Sequence, residues 1–217
     1  HLTVLKAPYI TPPAASVFRG VAMLRVLGTC ILLILAASSL NAQLGDDSSR
    51  YVVKTNSLIE FHASATFAKV VGVFHSWEAD LKMPGGKFGG ASLILEIDAA
   101  SVTTGSGVRD KEVKGKNFFA VTEHPQIRFV SKSITPDDDP TKFQMAGELT
   151  VRGITQPVAV TVVLRPKEEG HQRIDGSFSF NRREFGMTHN VPFNKVANTV
   201  EVNFQLDVQN TAVVAEN

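Results

Sequence analysis

Long runs of alternating apolar and polar residues are the feature that most constrains the fold of this chain. In the last run, alternate apolar positions are held by Val200, Val202, Phe204, Leu206 and Val208, with Glu201, Asn203, Gln205 and Asp207 between them. Side chains alternate across a β-strand, so the pattern predicts one face in water and one face in an apolar interior. Such runs recur from residue 51 to residue 208, which predicts an all-β domain.

The number and length of the runs favour a closed barrel over a sandwich. We count about eight strands, and several run ~9–12 residues, which is longer than the usual ~5–6. Long antiparallel strands leave long exposed edges unless the sheet closes on itself. The sequence therefore predicts an extended antiparallel up-and-down β-barrel. A short helix at 109–114, ended by Gly115, is expected in the long connection 101–119.

The large apolar residues of this chain are mostly phenylalanine. After Ala42 there are thirteen Phe, one Tyr and one Trp. Phe offers no hydrogen-bonding group, and a barrel of about eight strands can be filled by side chains or hold one small ligand. The interior is thus a dry core or a cavity for an apolar ligand. Gly72, Gly147 and Gly176 inside strands fit sharp bending, a bulge or the close approach of a ligand.

The first 42 residues differ in composition from the rest and contain no acidic residue. Met23-Leu24-Arg25, the apolar stretch 26–37 and the small residues that follow are typical of an export signal. We expect a start at Met23, cleavage after Ala42 and a single barrel domain over 43–217, with 1–22 as upstream sequence. The alternative is a membrane anchor, but the apolar run is shorter than the ~20 residues of a spanning helix. No integral membrane span is therefore expected after cleavage, and the protein is expected to be periplasmic or secreted.

Charge and cysteine content argue against several classes of protein. Taking Lys6, Arg19 and Arg25 from the 22 basic residues leaves 19 against 21 acidic ones, so the formal charge falls from +1 to −2. This balance gives no electrostatic case for nucleic acid or an anionic membrane as a partner. Cys30, the only cysteine, lies in the export signal, so the cleaved chain has no disulfide or thiol nucleophile.

No motif in the sequence indicates catalysis, a metal site or a cofactor. The histidines after residue 42 are His62, His75, His124, His171 and His189, and none has metal-ligand spacing to another. A Gly-x-Ser-x-Gly elbow is missing, so a hydrolase triad gets little support. We expect no enzyme activity, no metal and no cofactor. His75 alternates in step with Val73 and Trp77, which predicts a hydrogen-bonded core histidine.

Four segments in order carry a family resemblance. They are Ser57-Leu58-Ile59-Glu60-Phe61 with Val71-Gly72-Val73-Phe74, then 108–110 with 117–119 and 124–129, then 147–158, and finally Arg182-Arg183-Glu184-Phe185-Gly186-Met187. The chain resembles the YceI-like family of bacterial polyisoprenoid-binding, lipocalin-like proteins from about residue 51 to 208. The resemblance implies a lipocalin-like barrel with a long isoprenoid or other amphiphile in a hydrophobic pore. It also implies export, and homodimers are known in the family.

Two positions depart from the family pattern. The family often has His where this chain has Ala65, and a His-Leu pair where it has Glu112-Val113. A polar role of those histidines near a ligand head group is therefore not carried over to this chain.

The sequence therefore suggests an exported carrier that sequesters and transports a polyisoprenoid, an isoprenoid quinone or a similar lipid. The predicted pore-lining residues are Phe61, Phe67, Phe118, Phe129, Met145, Phe178 and Phe180. Arg109 and Asp110 are placed at the barrel mouth near a polar head group, with a surface pair as the alternative. Of Phe118 and Phe119, one is expected to plug the barrel and the other to pack on its wall. The alternative function is a solid-cored stress-related or interaction barrel with no small-molecule ligand.

Overall fold

The computed structural model describes residues 49–166, 171–189 and 195–210. The strands are β1 (Ser49–Ala65), β2 (Ala68–Phe74), β3 (Trp77–Lys82), β4 (Ser92–Asp98), β5 (Val102–Thr103), β6 (Gln126–Pro136), β7 (Lys142–Val151), β8 (Ile154–Pro166), β9 (His171–Asn181) and β10 (Val196–Asn210). The helix α1 spans Gly107–Lys114, and short 3-10 turns lie at Pro84–Gly86, Ala99–Ser101 and Arg182–Phe185. In these ranges no helix combines the length and hydropathy of a membrane-crossing helix. The predicted export signal and domain boundary lie outside them.

The sheet is antiparallel and largely follows the order of the chain. From β3 the neighbours are β4, β6, β7, β8, β9 and β10. β10 then pairs along β1, from Arg50 opposite Asn210 to Ala65 opposite Val196. The start of β1 pairs with the end of β3, which returns the sheet to its beginning. The predicted all-β, lipocalin-like antiparallel barrel with a short helix is confirmed.

The sheet has ten strands where the sequence predicted about eight. The apolar run of 71–81 is divided by a turn into β2 and β3, and the two-residue β5 pairs with the end of β2. In the other direction, β1 is one long strand, with a bulge between Val53 and Leu58 that interrupts the alternation of the sequence. The break between β2 and β3, by contrast, leaves the apolar alternation almost unchanged, so the pattern alone does not reveal it.

The turn between β2 and β3 reverses the faces of the residues on either side of it. In β2 the buried positions are Gly72 and Phe74, whereas β3 begins with buried Trp77. Because side chains alternate with period two, a change of register moves every residue to the opposite face. His75 is exposed in the turn, with its Nε2 2.8 Å from Thr103 Oγ1. The prediction of a core histidine at this position is wrong.

The last strand keeps the predicted alternation. Its buried apolar side chains are Val200, Phe204, Leu206 and Val208. Asp207, expected on the water side, is nonetheless only 2% exposed. Its carboxylate lies 3.1 Å from His171 Nδ1, and its backbone N–H donates to Ser57 Oγ. Ser57 belongs to the bulge of β1, which covers this part of the outer face.

The two ends of the barrel differ in what closes them. The helix end carries the β1–β2 hairpin, α1 and the turn at Arg182–Phe185. The closed end carries the β3–β4 and β6–β7 connections, where Phe88 packs edge-on against Phe143 with ring centroids 5.1 Å apart. Met83 and Met145 are each 1% exposed in the same half. The interior near the closed end is therefore a packed apolar core.

Candidate functional site

An apolar cavity of about 280 Å³ occupies the helix half of the barrel. Its wall is built from inward-facing residues of β1, β2, β4, β6, β7, β8, β9 and β10, together with α1 and the segment after it. By strand register, Leu93 and Leu206 are the lining residues nearest to the closed end. Phe118, Phe178 and Phe180 line the helix end and are only partly buried. The cavity thus extends from mid-barrel to the helix end.

Three phenylalanine rings of the wall each cover a glycine on the neighbouring strand. Phe61 is opposite Gly72 across β1 and β2, and Phe204 is opposite Gly176 across β10 and β9. A Cβ at either glycine would lie less than 3.0 Å from ring carbons. Gly147 lies diagonal to Phe129 across β7 and β6, and a Cβ there would also lie 2.5 Å from carbons of the Phe129 ring. The glycines let these rings lie back against the wall, and neither Gly72 nor Gly176 marks a bulge.

Polar side chains surround the cavity at the helix end. Arg109 and Glu112 of α1 line both the cavity and a shallow outer pocket, to which Asn117 and His189 also contribute. The His189 ring lies edge-on to Phe118 at 6.4 Å. A ligand whose apolar part fills the cavity would therefore have its polar end among charged and hydrogen-bonding groups.

Arg109 is held in place by Thr104, in the segment before α1. Its Nε donates to Thr104 Oγ1 over 3.1 Å, and its Nη2 donates to the Thr104 carbonyl over 2.7 Å. These contacts fix the guanidinium beside the cavity.

Asp110 anchors the same segment and does not line the cavity. It accepts hydrogen bonds at Oδ1 from Thr104 Oγ1 at 2.5 Å and from the Thr104 backbone N–H at 2.6 Å. These two hydrogen bonds, the side-chain one foremost, hold the pKa of Asp110 below its ordinary value. Of the two predicted head-group residues, the structure brings only Arg109 to the cavity.

Five of the seven predicted apolar lining residues lie on the cavity wall. They are Phe61, Phe118, Phe129, Phe178 and Phe180. Phe67 is 79% exposed in the β1–β2 turn, because β1 ends at Ala65 and the alternation does not reach it. Met145 is buried and does not line the cavity, although its cross-strand partner Val160 does. Neither of these two residues lies on the wall of this cavity.

The adjacent Phe118 and Phe119 lie in different surroundings, and both line the cavity. Phe119 is inside the barrel, edge-on to Phe61 at 5.7 Å and to Phe74 at 5.8 Å. Phe118 stays at the mouth, and its carbonyl accepts a hydrogen bond from Arg152 Nη1 at 2.6 Å. Arg152 thereby ties the β7–β8 turn to this segment.

Arg182 is a cavity-lining residue that the sequence pattern did not single out. It is 1% exposed. Its Nε donates to the Ala197 carbonyl at 2.9 Å, its Nη2 to Val196 and its Nη1 to His189, both at 3.1 Å. Burial lowers its pKa, and the charge of Arg183 adds to this effect. Its only sequence signal was the Arg-x-x-Phe-Gly turn, which does not show that the guanidinium holds the start of β10 beside the cavity.

The fold and the cavity define a class, an antiparallel barrel with an apolar site in one half. The family profile of the YceI-like domain matches residues 51–208. The chain therefore belongs to the YceI-like family, and the resemblance found in the sequence is confirmed. In the described ranges no three His, Cys, Asp or Glu side chains are grouped to hold a metal ion.

The curated relatives are distant in sequence. A UPF0312 protein of Pseudomonas savastanoi pv. phaseolicola is 24% identical over 126 residues, which cover 56% of this chain and 65% of the relative. A UPF0312 protein of Shewanella denitrificans is 26% identical over 166 residues, which cover 72% of this chain and 86% of the relative. The chain thus spans just under two thirds of the length of the Pseudomonas relative.

Solved structures share the fold. Burkholderia cenocepacia BcnA is 26% identical with a TM-score of 0.65, covering 72% of this chain and 99% of that one. A polyisoprenoid binding domain of Saccharophagus degradans, implicated in plant cell wall breakdown, is 14% identical with a TM-score of 0.57, covering 74% and 98%. The YceI protein of Campylobacter jejuni is 20% identical with a TM-score of 0.55, covering 65% and 85%. Similarity at such low identity as in the last two shows the fold alone.

Proposed function

We propose that this protein is an exported carrier of a long-chain apolar molecule, such as a polyisoprenoid or an isoprenoid quinone. The observation that carries the proposal is the apolar cavity of the helix half, with Arg109 and Glu112 at its edge. The polyisoprenoid binding domain of Saccharophagus degradans has the same fold, which supports this choice of ligand class. The export-signal pattern of residues 23–42 supports a periplasmic or secreted location.

The size of the cavity suggests how such a ligand is held. Small-molecule sites have volumes of ~300–1,000 Å³, so a cavity of about 280 Å³ is at the small end of that range. Apolar burial contributes ~25 cal/mol per Å² before the cost of ordering the ligand. We therefore expect the apolar tail to supply most of the affinity, while the polar end and any excess length stay at the mouth.

A binding role also fits the polar residues of the wall better than a catalytic one. Arg109 donates to Thr104, and Arg182 donates to backbone carbonyls of two segments, at His189 and at the start of β10. These contacts hold the mouth in shape. The solid-cored alternative describes the closed half of the barrel, whereas the helix half contains the cavity.

Mass spectrometry of an organic extract tests the proposal directly. The protein is purified without detergent, extracted and then titrated with an added isoprenoid alcohol. We expect a co-purifying lipid and saturable uptake of about one equivalent. The absence of both the lipid and the uptake would reject the carrier function. An enzyme would instead turn over isoprenoid esters or quinones at a rate lost in Arg109→Ala.

A further inference from the structure

The ion pairs of this protein are distributed unevenly along the barrel. Four lysines form ion pairs with carboxylates, and they lie on the outward faces of strands or near the closed end. They are Lys54, Lys82, Lys132 and Lys142. The lysines around the helix end are Lys69, Lys111, Lys114, Lys116 and Lys195, and none forms an ion pair with a described carboxylate. Lysines without an ion pair therefore gather at the end where the cavity lies, although Lys114 acts on the Asp110 carboxylate and the cleaved chain is acidic as a whole.

Three large apolar side chains are exposed at the same end, Ile154 at 38% and two others far more. Phe67 is 79% exposed at the tip of the β1–β2 hairpin, and Val108 is 85% exposed in the first turn of α1. Val71, on the outer face of β2, is by contrast 40% exposed. An exposed Phe beside lysines is typical of a surface that meets both apolar and anionic groups.

The hairpin and Lys195 are joined by hydrogen bonds. The Thr66 backbone N–H donates to the Lys195 carbonyl, and the Lys195 N–H donates to Thr66 Oγ1, both at 3.1 Å. Val108 borders the outer pocket that shares Arg109 with the cavity. We call the exposed residues at this end the basic rim, comprising Phe67, Lys69, Val108, Lys111, Lys116 and Lys195.

We propose that the basic rim docks on an anionic phospholipid bilayer, a local interaction that the net charge of the cleaved chain did not predict. Phe67 and Val108 would enter the head-group region, while the lysines lie against lipid phosphates. Each Lys near an anionic membrane surface strengthens binding by a similar increment, and a few apolar side chains anchor the contact. The docked orientation puts the cavity against the lipid, so an apolar molecule moves between the two with little exposure to water. Docking does not require the proposed ligand to be bound.

Vesicle flotation of the full chain tests this docking. The probes are phosphatidylcholine vesicles with and without phosphatidylglycerol, at about 0.1 M and about 1 M salt, where the screening length falls from ~10 to ~3 Å. We expect binding only where phosphatidylglycerol is present, and much weaker binding at high salt. Equal binding to both vesicles, or no binding to either at low salt, would overturn the proposal.

Matched variants distinguish the contribution of the rim lysines to vesicle binding from the effect of removing any surface charge. Lys69→Gln, Lys111→Gln and Lys195→Gln should each weaken vesicle binding about fivefold, and about a hundredfold together. Lys87→Gln is the control, since Lys87 is exposed at the closed end and also lacks an ion pair with a described residue. A loss in the control as large as in the rim variants would also reject the proposal.

The apolar contribution is tested in the same assay. Phe67→Ser and Val108→Ser should weaken the binding at both salt concentrations, because apolar insertion is little screened by salt. Val71→Ser on the outer wall is the control and should have no effect. Full binding by the Phe67→Ser/Val108→Ser double variant would contradict insertion and favour an acidic protein as the natural partner.

Discussion

The two halves of the barrel interior are built from the same strands and the same kind of residue, yet one is filled and the other hollow. Near the closed end, Phe88 and Phe143 meet edge-on across the interior. Near the helix end, Phe61 and Phe204 lie back over glycines of the neighbouring strands. The position of glycine, rather than the amount of phenylalanine, therefore decides where this barrel has a core and where it has a cavity.

The largest expected effect comes from removing an aromatic ring of the filled half. Phe143→Ala should lower the free energy of unfolding by ~3–5 kcal/mol, because it removes a buried ring and leaves a cavity among packed neighbours. Phe178→Ala, at a partly exposed position of the hollow half, should cost less than half as much. Urea denaturation of the two variants measures the difference. Equal losses would mean that the two halves are packed alike.

Arg182 tests whether the mouth of the hollow half depends on a buried cation. Arg182→Met should destabilise the protein by ~2–4 kcal/mol, because it leaves several buried carbonyls without a donor. The neighbouring Arg183→Met is the control, and its exposed side chain should cost ~0.5 kcal/mol or less. Thermal unfolding of both variants checks this. Unchanged stability of the Arg182→Met variant would contradict the structural role of this buried guanidinium.

Gly176→Ala should convert part of the hollow half into a filled one. The new Cβ would overlap the Phe204 ring and push it toward the cavity, at a cost of ~1–3 kcal/mol in stability and with reduced ligand uptake. Adding Phe204→Leu should restore uptake. Gly89→Ala is the control, since a Cβ at Gly89 would meet no atom of another part of the chain within 4 Å. Unchanged uptake by Gly176→Ala would show that the Phe–Gly pairs do not shape the cavity.

The smallest effects concern two aspartates at opposite ends of the barrel. Thr104 lowers the pKa of Asp110 at the helix end, and Thr141, with Lys142, lowers the pKa of Asp139 at the closed end to about 2. A carboxyl whose pKa is lowered in the folded state stabilises the fold at pH values above its ordinary pKa of 3.8. That stabilisation is lost as the pH falls through the folded-state pKa. Asp139→Asn should therefore make the free energy of unfolding depend less on pH between about pH 4 and pH 2. An NMR titration in which both carboxyls titrate near 3.8 would refute the assignment.

Much of the fold follows from local pattern. The inward face of β10 is as predicted, since Leu206 sits in unbroken alternation with Phe204 and Val208. The helix was expected at 109–114 and begins two residues earlier, at Gly107. The errors at His75 and Phe67 come from turns that interrupt a continuing apolar pattern, so local alternation pointed to the wrong surroundings.

The site depends on contacts between residues distant in sequence. The pair of Phe204 with Gly176 exists only through the register of β9 and β10, and Arg182 meets its carbonyl partners only after the chain has returned to β10. The basic rim likewise joins Lys69, Lys111 and Lys195, which look scattered along the sequence. These features require the three-dimensional arrangement.

The difference between a hollow half and a filled half is tested most directly by NMR of a phenylalanine-labelled sample titrated with an isoprenoid alcohol. We predict saturable shifts of the ring signals of Phe118, Phe129 and Phe178, which line the cavity. The signals of Phe88 and Phe143 should stay where they are. Shifts of equal size in both halves, or no saturable shift in any ring, would contradict the account.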